Sequence, residues 1–200
     1  MRPVQHRPLG QRGVSLIEML LGLTVGAGLL VAGIAVYWNA TSAAVVADMR
    51  TTLVEVAGAV RSARPTGNYL GLSATSTLSA TGRFAPARLV AASGAVRGPA
   101  STLYTVQVTP DAVLPAQLRS SATGAAKYFD VVVANVPPPH CIAFVRSVER
   151  DAIMRLEVNG AVYADRLASP TVAPQTAQLA GATFCRPTGD STISLRLTFS

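Results

Sequence analysis

Two hundred residues suit one domain, or one domain with an appendage. Half of them are hydrophobic, yet only 14% are charged and 6% aromatic; against the roughly 25% charge of an average globular chain, this excludes a charged disordered tail and argues against a typical cytosolic enzyme. The formal charge of +7 comes from 17 basic and 10 acidic side chains, but Arg2, Arg7 and Arg12 sit in the leading segment and the other arginines are scattered singly, so the clustered patch that specific nucleic-acid binding needs is missing.

The chain opens with MRPVQHRPLGQRG, polar, basic and broken by Pro3 and Pro8, and turns abruptly to VSLIEMLLGLTVGAGLLVAGIAVYW. From Met19 to Trp38 no residue is charged, a helix long enough at about 1.5 Å per residue to cross ~30 Å of hydrocarbon. Tyr37 and Trp38 close the run where an interfacial aromatic belt sits, and the arginines before it place the N-terminus on the cytoplasmic side. A secretory signal peptide or a plain signal anchor has the same outline. Two details argue against both: the run is longer than a usual signal core, and Glu18 stands just inside its edge. An ionisable side chain in a membrane segment costs a few kcal/mol and is a functional candidate by default.

Gly13-Val14-Ser15-Leu16-Ile17-Glu18, followed by about 20 apolar residues, resembles the processing site of type IV pilin precursors. The resemblance implies a short basic leader, residues 1–13, removed by a prepilin peptidase between Gly13 and Val14. It further implies N-methylation of Val14 and an assembly role for Glu18, the fifth residue of the mature chain. A first residue other than phenylalanine looks like the type IVb branch. Implied with it are a single-pass subunit in the inner membrane with a periplasmic head, partners in an assembly machine and in copies of itself, and an extracellular helical filament. Glu18 in a dry filament core needs a cationic partner, since a lone buried charge is very costly; the α-amino group of a neighbour's Val14 is the obvious one. A bland reading also exists: a carboxylate in a first helical turn is favoured by the helix dipole. Gly22 and Gly26 form a small-xxx-small face that allows close helix approach.

The helix is expected to continue through residues 39–64 as an amphipathic upper part, with Val45, Val46, Met49, Leu53, Val56, Ala57 and Val60 at three- and four-residue spacing. Pro65-Thr66-Gly67-Asn68 ends it, and residues 65–200 are expected to form the head. Tyr69 to Ala100 reads as a loop region carrying a short helix or two. Leu103 to Val108 alternates as a strand up to Pro110; Val113 to Ser120 reads as a short helix; Lys127 to Val136 reads as a buried strand ended by Pro137. Cys141 to Arg150 is a short helix, with a strand as the alternative. Met154 to Val158 and Ala161 to Tyr163 flank Asn159-Gly160, a strong hairpin signal, and Ser191 to Phe199 alternates as a terminal strand. The fold class is therefore α+β, with an antiparallel sheet of four or five strands packed on the upper helix.

Little in this chain carries chemistry. Two cysteines and two histidines are too few for the common zinc sites, and His140, after three prolines, reads as an exposed turn residue rather than the base a nucleophile requires. No catalytic or phosphate-binding motif is present, so neither an enzymatic activity nor a cofactor or metal is expected. Cys141 and Cys185, if exported, are expected to pair; two free thiols are the alternative. Their placement around the hairpin is similar to the disulfide-bounded region of type IVb pilins such as the bundle-forming and toxin-coregulated pilins and those of conjugative thin pili. The functional expectation is a structural pilus subunit, with roles in adhesion, conjugation or motility open to it. A minor pilin or a type II secretion pseudopilin is one alternative, and a signal-anchored envelope protein the other.

Overall fold

The structure is a computed structural model; it describes residues 16–149, 151, 153–168, 171–174, 184–186 and 192–200. Helix α1 runs unbroken over Leu16–Ala63. It ends where expected: Pro65 cannot continue it, and Gly67, at φ 67°, turns the chain with its N–H on the Arg64 carbonyl. The chain divides into two compact units, Met1–Thr41 and Ser42–Ser200, so α1 contributes to both.

In the second unit the upper stretch of α1 buries Val46, Met49, Leu53, Val56, Ala57 and Val60, the stripe its spacing dictates, together with Thr52 and Ala59. After α2 (Ala74–Ala80) the chain forms β1 (Leu89–Val90), β2 (Ala95–Arg97) and β3 (Leu103–Val108). Then follow α3 (Ser120–Thr123), β4 (Phe129–Val136), α4 (Pro138–Val148), β5 (Arg155–Val158), β6 (Ala161–Asp165) and β7 (Ile193–Phe199). The strands make one antiparallel sheet in the order β1-β2-β3-β4-β7-β5-β6.

Among the described residues the sheet has seven strands rather than four or five. The additional pair, β1 and β2, are two and three residues long, too short for a period of two to be read. The expected helix over 113–120 is instead two single 3-10 turns, Asp111–Val113 and Ala116–Leu118, followed by α3; Pro115 lies between the turns and interrupts helical bonding. Residues 138–148 are helical, and the prolines both close β4 and open α4, since Pro138 occupies its first turn.

Alternation then sorts the sheet into two faces. Val106, Val131, Leu197 and Leu156 stand side by side across β3, β4, β7 and β5, and Tyr104, Val133, Leu195 and Val158 form the next row. All eight are buried, in one core with the α1 stripe and with Phe144, Val145 and Val148 of α4. The other face carries the polar rows Asp130-Thr198-Arg155-Asp165 and Val132-Arg196-Glu157.

Candidate assembly site

In the first unit, α1 from Leu16 to Trp38 is apolar and almost entirely exposed, and none of the span long enough to cross a membrane is buried. Leu16, Ile17, Leu23, Leu29, Val36 and Trp38 each show about two thirds or more of their surface. At ~25 cal/mol per Å2 of apolar surface this stretch is unstable in water, and a continuous patch of that size marks a protein or membrane contact. Thr24 donates to the Leu21 carbonyl at 3.0 Å, and Thr41, just beyond the stretch, to the Tyr37 carbonyl at 3.0 Å. Glu18 lies exposed in the first turn of α1 and has no ion-pair partner among the described residues. Gly13 and Val14 lie outside the described residues.

The head is tied to the upper part of α1 by polar contacts around the apolar stripe. Buried Tyr104 donates from its hydroxyl to the Met49 carbonyl at 3.0 Å, and burial pushes its phenol up to about 12. Arg50 is paired with Asp151, whose carboxylate raises the guanidinium further above its ordinary value. Arg88 reaches Glu55 at 3.1 Å. Arg61 donates to the Ser200 carbonyl at 3.0 Å while its guanidinium lies 5.6 Å from the Phe199 ring centre. His140 is not the exposed turn residue its prolines suggest: it sits half-buried in the first turn of α4, its Nδ1 3.0 Å from the Ser42 hydroxyl.

Cys141 and Cys185 are joined as a disulfide, with Cα atoms 5.7 Å apart and 44 positions between them in sequence. Cys141 belongs to the buried face of α4, so the bridge fixes the segment around Cys185 to the core. A second fastening was not legible in the sequence. Asn159, at φ 51°, and Gly160, at φ 78°, make the expected two-residue hairpin turn. The Asn159 side-chain amide also donates to the Phe184 and Arg186 carbonyls at 3.0 and 3.1 Å, and its oxygen accepts from the Ser194 N–H at 3.0 Å. One residue therefore joins the hairpin, the cysteine segment and β7. Phe184, packed edge-on against Tyr163 at 5.5 Å, lies beneath. Tyr163 is raised to about 12 by burial and by Glu149, which accepts from its hydroxyl at 3.2 Å.

The polar sheet face is the other feature without a sequence signal. Buried Asp130 accepts from the Thr109 and Thr198 hydroxyls at 2.7 and 2.8 Å. Its second oxygen makes no hydrogen bond and lies 3.7 Å from Arg196. Arg196 approaches Glu157 at 3.5 Å, and Arg155 bridges Glu157 at 2.6 Å and Asp165 at 2.7 Å. Each charge is countered by one on a neighbouring strand, the condition under which buried ions are tolerated. Among the described residues no group of three His, Cys, Asp or Glu side chains could hold a metal ion.

No protein-family model matches the chain, and no curated protein matches it. Among solved structures it is similar to that of TcpA, a type IV pilin from Vibrio cholerae El Tor biotype: 17% identity, 80% of this chain and 98% of that chain covered, TM-score 0.46. At that identity and score no residue role passes from one chain to the other.

Proposed function

We propose that this protein is a structural subunit of a type IV pilus, made as a precursor, cut between Gly13 and Val14, methylated at Val14 and polymerised through the apolar part of α1. The observation that carries the reading is the junction Gly-Val-Ser-Leu-Ile-Glu at the head of a helix whose first half is bare and whose second half is the core of an α+β, disulfide-bonded head. A bare apolar helix has two stable environments, a bilayer and a bundle of its own kind. A subunit held first in the inner membrane and then in a filament uses both in turn. The likeness to TcpA is in keeping with this but is not what it rests on.

Glu18 gives the reading its specific content. In the filament it pairs with the α-amino group of a neighbouring Val14 and fixes the axial register, the best-attested use of a buried ionic group. The head begins some twenty residues later, so its core does not include Glu18. Glu18→Ala is therefore expected to give a cleaved, membrane-held, disulfide-bonded subunit with few or no filaments, because breaking a buried pair costs ~3–5 kcal/mol at each contact. Electron microscopy of sheared surface material, beside an immunoblot of the membrane fraction, measures both quantities. N-terminal sequencing and intact mass of protein co-expressed with a prepilin peptidase test the cut itself: a chain beginning with methylated Val14 is expected. One that keeps Met1 is a signal-anchored protein, and one that begins near Thr41 is a secreted one.

A further inference from the structure

A hollow of about 520 Å3 opens on the head where the end of α1 meets the end of α2, lined by Ser62, Arg64, Thr77, Thr81 and Arg83 among others. None of its described lining residues is acidic. The arginines elsewhere on the head that face a carboxylate are Arg50, Arg88, Arg155 and Arg196, whereas Arg64 and Arg83 make no ion pair among the described residues. Two unpaired guanidiniums around one concave space raise its positive potential, which an anion relieves. The hydroxyls add a second requirement. Ser62 donates to the Ala59 carbonyl at 2.8 Å and Thr81 to the Leu78 carbonyl at 2.9 Å, so both protons are committed and each oxygen keeps lone pairs for an incoming donor. The hollow thus combines cationic donors with neutral acceptors. A bare inorganic anion uses only the first; a ligand with a negative group and its own O–H groups uses both.

We propose that this hollow binds an acidic sugar unit, a saccharide bearing a sulfate or carboxylate group, independently of whether the chain assembles into filaments. The negative group lies between Arg64 and Arg83 in charge-assisted hydrogen bonds, and the ring hydroxyls donate to Ser62 and Thr81.

The test uses the full chain in a nonionic polyoxyethylene detergent and isothermal titration with three probes: a sulfated heparin-derived disaccharide, inorganic sulfate and the neutral disaccharide lactose. Binding of the sulfated disaccharide is expected to exceed that of either other probe and to weaken with added sodium chloride. Arg64→Gln and Arg83→Gln are each expected to weaken it about tenfold, while Arg97→Gln, which changes the same net charge elsewhere on the head, leaves it unchanged. Thr81→Val is expected to narrow the preference for the disaccharide over inorganic sulfate. The head's circular-dichroism melt, recorded for every variant, keeps a folding defect from counting as lost binding. No binding of the disaccharide overturns the proposal, as does equal weakening by Arg97→Gln, which is a diffuse charge effect. Equal affinity for sulfate and disaccharide overturns the sugar and leaves an anion hollow only.

Discussion

The two parts of α1 are one continuous helix in two different situations. Up to Thr41 it is apolar on every side and exposed; from Ser42 it is apolar on one stripe, and that stripe is the core of the head. The difference lies in pattern rather than in total hydrophobicity. Val46, Met49, Leu53, Val56 and Val60 return to the same side every three or four residues, with Asp48, Arg50 and Glu55 between them and Arg61 just after, so one sheet is enough to cover them. In Met19 to Trp38 no side is spared, and one sheet cannot cover a full cylinder. An all-round apolar helix needs a solvent or neighbours on all sides.

The sharpest test of that contrast places the same charge in both parts. Val56→Asp puts a carboxylate at a site with 0% exposure, where an unpaired charge costs several kcal/mol; the head is expected to fail to fold, read as loss of its thermal transition. Leu29→Asp, at a site 69% exposed, is expected to leave the melt of the detergent-solubilised head unchanged and instead to reduce recovery in the membrane fraction by roughly the 2.5–3.5 kcal/mol of a charge at a helix centre. Equal effects of the two substitutions on the melt would erase the distinction between the parts.

Opening the disulfide separates the parts next most strongly. Cys185→Ser is expected to destabilise the head by about 2–5 kcal/mol, seen as a lower melting temperature, with membrane recovery of the folded fraction unaltered. Asp130→Asn should follow at about 1–3 kcal/mol, because the amide cannot accept from Thr109 and Thr198 and also face Arg196 as the carboxylate does. A melt unchanged within error would mean the polar face contributes nothing to the head.

The smallest effect is alkaline. Tyr104 is raised from 10.0 to about 12 in the folded head, so between those values the unfolded chain has released a proton that the folded one retains. The associated stability is complete below about pH 10 and is lost as pH rises through about 12; Tyr163, also raised to about 12, adds to the same slope. Tyr104→Phe is expected to lower stability at pH 7 by about 1 kcal/mol, for the bond to Met49, and to flatten that alkaline decline. A pH–stability curve identical to the parent's would remove Tyr104 as its source.

How far these features could be read in the sequence follows from their range. The stripe of α1, its stop at Pro65 and the Asn159-Gly160 turn depend on residues within a few positions of one another, and all were legible. So was the alternation of Arg155, Glu157, Arg196 and Thr198 along their strands. Their assembly into one charged face was not, because it depends on β7 lying between β4 and β5, a pairing no local pattern encodes. The same holds for Asn159: its turn geometry is local, its bonds to Phe184 and Arg186 are not. His140 misled because three prolines mark a loop and a helix start alike.

The position of β7 also bears on synthesis. Among the described strands the β5–β6 hairpin meets the rest of the sheet only through β7, yet β7 follows all the others in the chain. Until β7 pairs, β4 and β5 each have an unpaired edge, a template for the wrong neighbour. Ile193–Phe199 lies between β4 and β5 and pairs with a strand some sixty residues earlier, a slow class of pairing. On the proposed function, export and folding of this head are coupled at the pairing of β7. A chain cut before Ile193 keeps the whole of α1 but lacks the strand that joins β4 to β5.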